Sequence, residues 1–247
     1  MSTIYILWLR QIKRYLRSKP RVIGSLAQPL FFLLALGAGF GPVFSKAGQG
    51  NYIEFLVPGI MSMTIIFTSV FSGMETIWDR QFGFLKETLV APVSRFNIMI
   101  GRTLGGATIA TLQGTIVLFL SMIVGFHPVS WALLPVVILI MFLSAVMFTA
   151  LGTAIASKLD DMQGFQLIMN FIVMPLFFLS GAIFPLTKTT ILGKIASFDP
   201  LSYTVDALRH LLTSDHVFSL ARDISVLGIL TAVFLLLGAY FFSKVQI

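Results

Sequence analysis

"TLGGATIATLQGTIVLFLSMIVGFHPVSWALLPVVILIMFLSAVMFTALGTAIAS", residues 103–157, contains no Asp, Glu, Lys or Arg. A bilayer core of about 30 Å is crossed by about 20 consecutive uncharged residues in helical form, so this stretch holds two crossings. It breaks at Gly125-Phe126-His127-Pro128, a turn-like run where proline cannot continue helical hydrogen bonding. The spacing recurs outward in both directions. Uncharged runs lie between Arg21 and Lys46, Glu54 and Glu75, Asp161 and Lys188, and Asp223 and Lys244. Six spanning helices follow, at about 22–44, 55–74, 98–124, 131–157, 163–184 and 221–243. The fold class is an all-α integral membrane chain, read as one transmembrane domain over residues 1–247. A transmembrane barrel needs alternation every second residue over segments of about 10, and these runs are continuous and far longer.

Composition agrees with that reading. The chain is 57% hydrophobic and 11% charged with a mean hydropathy of +0.93, whereas a soluble domain carries about 25% charged residues. Lys and Arg set orientation. The N-terminus, the connector between spans 2 and 3, the turn at 158–162 and the C-terminus hold all the basic residues except Lys46, Lys188, Lys194, Arg209 and Arg222. Both termini are predicted cytoplasmic, and the pI near 9.9 reports topology, not a nucleic-acid partner. Cysteine is absent, which excludes disulfides, thiolate catalysis and Cys metal sites. The basic N-terminus before an apolar run containing "ALGAG" differs from a signal peptide, because its basic region is too long and the apolar run is long enough to span.

Three segments outside the spans have their own patterns. Residues 1–21 predict an interfacial helix, with Ile4, Tyr5, Trp8, Leu9, Ile12, Tyr15 and Leu16 on one half and Arg10, Lys13, Arg14 and Arg17 on the other; Ile6 and Leu7 are exceptions. Such a helix lies against membrane lipids, basic side toward anionic headgroups. Residues 185–219 predict short helices at the outer face, with Asp199 as N-cap, Pro200 at the first helical position and a stripe of Leu201, Val205, Leu208 and Leu212. His210, His216, Asp206 and Asp215 lie there without an HExxH or GxSxG pattern, and are read as solvated outer-face residues.

Within the spans, Gln113, Gln166 and Asn170 are costly unless paired or lining a cavity. Interhelical hydrogen bonding is one role; a substrate path is the other, for Gln166 and Asn170 one turn apart. Gly37/Gly41 and Gly101/Gly105 have the spacing of close helix packing. The connector 75–95 is longer than a link requires. Trp78, Phe82, Leu85 and Leu89 recur at i, i+4, i+7 and i+11, Asp79, Arg80, Lys86 and Glu87 lie mostly elsewhere, and Pro92 ends the segment. One helix with an apolar ridge and a polar face of mixed sign favours a protein groove over lipid.

"RQFGFLKETLVAPVSR" (80–95), "FLSGAIFPL" (178–186) and "DPLSYTVDALRHLL" (199–212), in this order, resemble the permease subunit of ABC-2-type exporters, the group containing daunorubicin-resistance and nodulation-factor permeases. The resemblance covers the whole chain. It implies a second permease half, as homodimer or close heterodimer, around a common pathway, and one ATP-binding-cassette subunit under each half. It also implies that the connector is the coupling helix seated in that ATPase, which places the contact on Trp78, Asp79, Arg80, Phe82, Gly83, Phe84, Leu85, Lys86, Glu87 and Leu89. Family members more often carry acids where Gln81 and Lys86 stand and a small residue where Phe84 stands.

The chain itself lacks GxxxxGK[ST]; its one Gly-Lys pair, Gly193-Lys194, is followed by Ile195. It is therefore not an enzyme, no cofactor is expected on it, and ATP and Mg belong to the partner subunit. An ion-coupled secondary transporter would place ionisable groups near mid-membrane, and only His127, in an outer turn, interrupts the runs. By family analogy spans 2 and 5 face the pathway, bringing in Phe67, Phe71, Gln166, Asn170, Phe177 and Phe178. An uncharged path favours a lipophilic or amphipathic cargo leaving across a bacterial or archaeal cytoplasmic membrane. Lipid-linked polysaccharide is the alternative cargo.

Overall fold

The computed structural model describes residues 2–48, 50–84, 93–185 and 191–245. Helices α1 (Thr3–Arg17), α2 (Lys19–Lys46), α3 (Tyr52–Ser72), α4 (Met74–Gln81), α5 (Arg95–Ile123), α6 (Leu134–Ala156), α7 (Met162–Leu179), α8 (Ile191–Ala196), α9 (Pro200–Thr213) and α10 (Leu220–Ser243) follow in order, and no strand occurs among the described residues. Six helical stretches are long and apolar enough to cross a membrane: Lys19–Lys46, Tyr52–Gln81, Arg95–Ile123, Trp131–Ala156, Met162–Leu179 and Leu220–Ser243. The charge spacing thus located every crossing. The fifth ends earlier than predicted, at Leu179, because Gly181 turns the chain with φ 77°.

Local sequence explains where helices start. Asn51, Ser94, Asp161 and Asp199 each accept a hydrogen bond from a backbone N–H in the first turn of α3, α5, α7 and α9, satisfying donors that the helix leaves open. α3 is the axis of the bundle, apolar nearly all round and buried along most of its length, and α5 and α6 pack beside it. By contrast α2, α7 and α10 bury only a narrow stripe of each apolar segment. Helices apolar on all sides with exposed faces suit a lipid surround or a second subunit.

Two expectations change here. The connector is not one helix from Trp78 onward: α4 ends at Gln81, and Gly83 takes φ 81°, a left-handed backbone that glycine adopts without a Cβ clash. Leu85, Lys86, Glu87, Leu89 and Pro92 lie outside the described residues. The N-terminal helix, in turn, docks on protein through its supposed exception. Leu7, Gln11 and Tyr15 are its buried side, laid across α5 where Gly101 and Gly105 leave room. A Cβ on Gly105 would come within 2.6 Å of the Gln11 side chain, so the helices touch only because glycine is there. The other glycine pair makes no such contact: Gly41 has nothing within 4 Å.

Candidate functional site

α4 divides its residues between two faces. Glu75 and Asp79, one turn apart, point into the bundle and meet four arginines from three other helices. Arg102 of α5 donates to Asp79 at 2.5 Å with both side chains buried. Arg10 and Arg14 of α1 lie 3.8 and 3.9 Å from the same carboxylate. Glu75 pairs with Arg14 and, at 3.2 Å, with Arg21 of α2. Arg80 reaches the other way, to Asp160 at 2.5 Å and to the Leu159 and Ser157 carbonyls in the α6–α7 turn. Gln81 joins it through the Asp160 carbonyl. α4 is therefore tied at once to α1, α2, α5 and the start of α7.

Asp79 and Arg80, counted with the coupling surface from sequence, face the protein and not the open side of α4. The cause is electrostatic: a carboxylate with no partner would be far costlier in this apolar setting than one facing Arg102. The open side belongs to Trp78, 49% exposed, and Phe82, 64% exposed, whose rings lie 5.6 Å apart. Phe84 continues the exposed aromatic surface, with the Arg10 guanidinium 5.9 Å from its ring.

Above this platform lies a cavity of about 440 Å³, open between α2 and α7 over a floor of α3 and α5. Of the residues proposed from sequence for a substrate path, Phe67, Phe71 and Asn170 line it. Phe177 is instead buried, edge-on to Phe67 with 6.4 Å between centroids. Phe178 and Gln166 are exposed on α7 and do not line the cavity. Tyr15, Arg21, Ser25 and Gln28 complete the opposite wall, and Thr68, Ile109, Gln113 and Met174 the rest. The Gln113 amide donates to Tyr15 Oη and Ser25 Oγ, both at 2.9 Å, and accepts from Thr68 Oγ1. Sequence reasoning singled out Gln113 as a costly polar residue. It missed Tyr15, Ser25 and Thr68, which are unremarkable until helices far apart in the chain bring them together.

At the opposite end, α9 carries buried polar groups where solvated ones were expected. The Asp206 carboxylate accepts from the backbone N–H groups of Val217 and Phe218, each at 2.7 Å. Arg209 donates to the carbonyls of Phe55 and Gly181 and lies 3.9 Å from the centroid of the Phe55 ring. Burial pulls its guanidinium down to about 10. Burial likewise pushes the Asp199 carboxyl up to about 7, although bonds from the Leu201 and Ser202 backbone act against it. The rings of His210 and His216 lie 4.3 Å apart, yet no group of three metal-ligating side chains occurs among the described residues. This end closes the bundle, and no catalytic arrangement occurs among its described residues.

Comparison with known proteins gives a consistent outcome. The family model described as ABC-2 type transporter matches residues 2–213. Nodulation protein J of Rhizobium leguminosarum bv. viciae is 25% identical over 211 residues, covering 84% of this chain and 81% of that protein. The putative transport permease ycf38 of Cyanophora paradoxa is 28% identical over 258 residues, 99% of this chain and 89% of that one. Its counterpart from Pyropia yezoensis is 29% identical over 221 residues, 87% of this chain and 75% of its own. With six apolar helices, a braced connector between the second and third, and a family match across most of its length, this chain belongs to the ABC-2 type transporter family as a multi-pass membrane permease.

Proposed function

We propose that the chain forms one half of an ATP-driven exporter, with a second copy or close relative as the other half and a separate ATP-binding-cassette subunit under each. ATP and Mg are held by those subunits, and the cargo is lipophilic or amphipathic. The bundle sits in a bacterial or archaeal cytoplasmic membrane with both termini inside. The exposed flanks of α2, α7 and α10 are available for lipid and for the second half.

One observation carries this reading: α4 offers Trp78 and Phe82 outward while its other face is ion-paired to three helices and hydrogen-bonded to the α6–α7 turn. An aromatic pair on a short helix is suited to a groove in a partner, and its loss costs about 2–4 kcal/mol per hot-spot residue. A displacement of that pair moves α1, α2, α5 and the α6–α7 turn together, because α4 is tied to all four, most tightly through the buried Asp79–Arg102 pair. Reversing a two-state equilibrium from 1:99 to 99:1 requires about 5.5 kcal/mol of differential binding, within reach of two such anchors. In this arrangement Asp79 and Arg80 transmit, while Trp78, Phe82 and Phe84, continuing to Leu85, Lys86, Glu87 and Leu89, contact the ATPase.

The test is the double substitution Trp78→Ala with Phe82→Ala in the assembled transporter. ATP hydrolysis is expected to continue while ATP-dependent export falls at least about tenfold. Export at the parental rate with the ATPase still bound would remove α4 as the coupling element.

A further inference from the structure

We propose that the cavity between α2 and α7 is a binding site for an anionic amphiphile, its acidic head at Arg21 and its apolar part along Phe67, Phe71 and Met174. This deepens the exporter reading and rests on it, by naming the cargo class. Three observations point the same way.

First, charge is unbalanced at the mouth: among the described residues Arg10, Arg14, Arg21 and Arg102 share Glu75 and Asp79 as their ion-pair partners. Of these arginines only Arg21 lines the cavity, and its side chain is 45% exposed with a single 3.2 Å contact to Glu75. A buried or half-buried guanidinium cluster with excess charge attracts an anion, and its planar fork suits a phosphate or carboxylate. Second, Arg21, Ser25 and Gln28 repeat at i, i+4 and i+7 on one face of an otherwise apolar helix, opposite Asn170. The Gln28 and Asn170 amides have no hydrogen-bond partner among the described residues. An unpartnered amide at membrane depth is costly unless something polar reaches it. Third, the wall beyond is apolar and aromatic, and about 440 Å³ lies in the range of sites that bury most of a small ligand. A free anion would leave that wall unused.

The probe is a phosphatidic acid with a diazirine in one acyl chain, offered to the full chain in phosphatidylcholine nanodiscs without nucleotide. Photolabelling is expected on the 67–71 segment and at Met174. The matching diacylglycerol, which lacks the head, is expected to label far less, and glycerol 3-phosphate, which lacks the tails, to compete only weakly. Arg21→Gln is expected to lower apparent affinity about tenfold or more. Glu75→Gln, which removes the internal competitor for Arg21, is expected to raise it. A pair of opposite effects is not produced by general misfolding. Equal labelling by diacylglycerol, or two variants indistinguishable from the parent, overturns the proposal, and competition by glycerol 3-phosphate at the same concentration overturns the amphiphile in favour of a free anion. The measurement needs no ATPase, so failure here leaves the coupling role of α4 standing, and failure of the Trp78/Phe82 test leaves this site standing.

Discussion

The two ends of the bundle both bury charge and satisfy it differently. Around α4 the buried carboxylates meet side chains: Asp79 with Arg102, Glu75 with Arg14 and Arg21. Around α9 a side chain meets backbone: Arg209 with the Phe55 and Gly181 carbonyls, Asp206 with the Val217 and Phe218 amides, Asp199 with the Leu201 amide. Backbone partners are fixed by the helices and turns that own them. Ion pairs between four separate helices can exchange partners, because Glu75 and Asp79 each have more than one arginine within reach. One end is held as a closure and the other by exchangeable pairs, which suits the coupling role proposed for α4.

The largest effect expected from this contrast is at Arg102. Replacing it with Met leaves the buried Asp79 carboxylate with only the 3.8 and 3.9 Å contacts to Arg10 and Arg14, and a broken buried pair costs about 3–5 kcal/mol. Thermal unfolding in detergent should register the drop. Adding Asp79→Asn should recover much of it, since no charge is then left unpaired. Additive losses would mean that the two residues are not coupled and that the α4 end is held by other contacts.

At the closure, Arg209→Met should cost somewhat less, about 2–3 kcal/mol, by removing the side-chain donor to the Phe55 and Gly181 carbonyls and the cation over the Phe55 ring. No second substitution at a charged residue should rescue it, because its partners are backbone. Rescue by neutralising Asp206 or Asp215 would show an ion-pair role and erase the distinction between the ends.

The fold was legible because membrane crossing is a one-dimensional property: the absence of charge between Arg102 and Lys158 is enough to place two helices. One helix cap was legible from local sequence as well: Asp199 caps α9 as its position before Pro200 predicted. Facing was not. The heptad-like ridge from Trp78 to Leu89 concealed the break at Gly83, because periodicity counts residues and does not register a left-handed φ. Leu7 looked like a flaw in an interfacial helix because the surface it needed, the glycines of α5, lies far away in sequence. The cavity has the same origin: Tyr15, Ser25, Thr68 and Gln113 come from four helices. Identical glycine spacing therefore carries two outcomes. Gly105→Ala should cost about 1–3 kcal/mol by pushing α1 off α5, whereas Gly41→Ala, with open space around it, should be neutral or gain up to about 1 kcal/mol of helix propensity. Equal melting shifts for the two would remove the argument that α1 is held by α5.

The gentlest probe of the closure is pH. The Asp199 carboxyl has its pKa raised from 3.8 to about 7 by burial, so between those values the folded chain holds a proton that the unfolded chain has released. Stability contributed by this group then falls as pH rises from about 4 to about 7 and is level above, with a slope that cannot exceed about 1.4 kcal/mol per pH unit. Asn caps a helix as well as Asp does and carries no proton to lose. Asp199→Asn should therefore flatten the decline and be the more stable form at pH 8, while the same comparison at pH 4 brings the two chains together. Other groups titrate in both proteins alike, so the difference between the two profiles isolates this one carboxyl. Parallel profiles would mean that Asp199 stays ionised in the folded chain, its charge carried by the Leu201 and Ser202 amides, and that burial at this end is less complete than at Arg102.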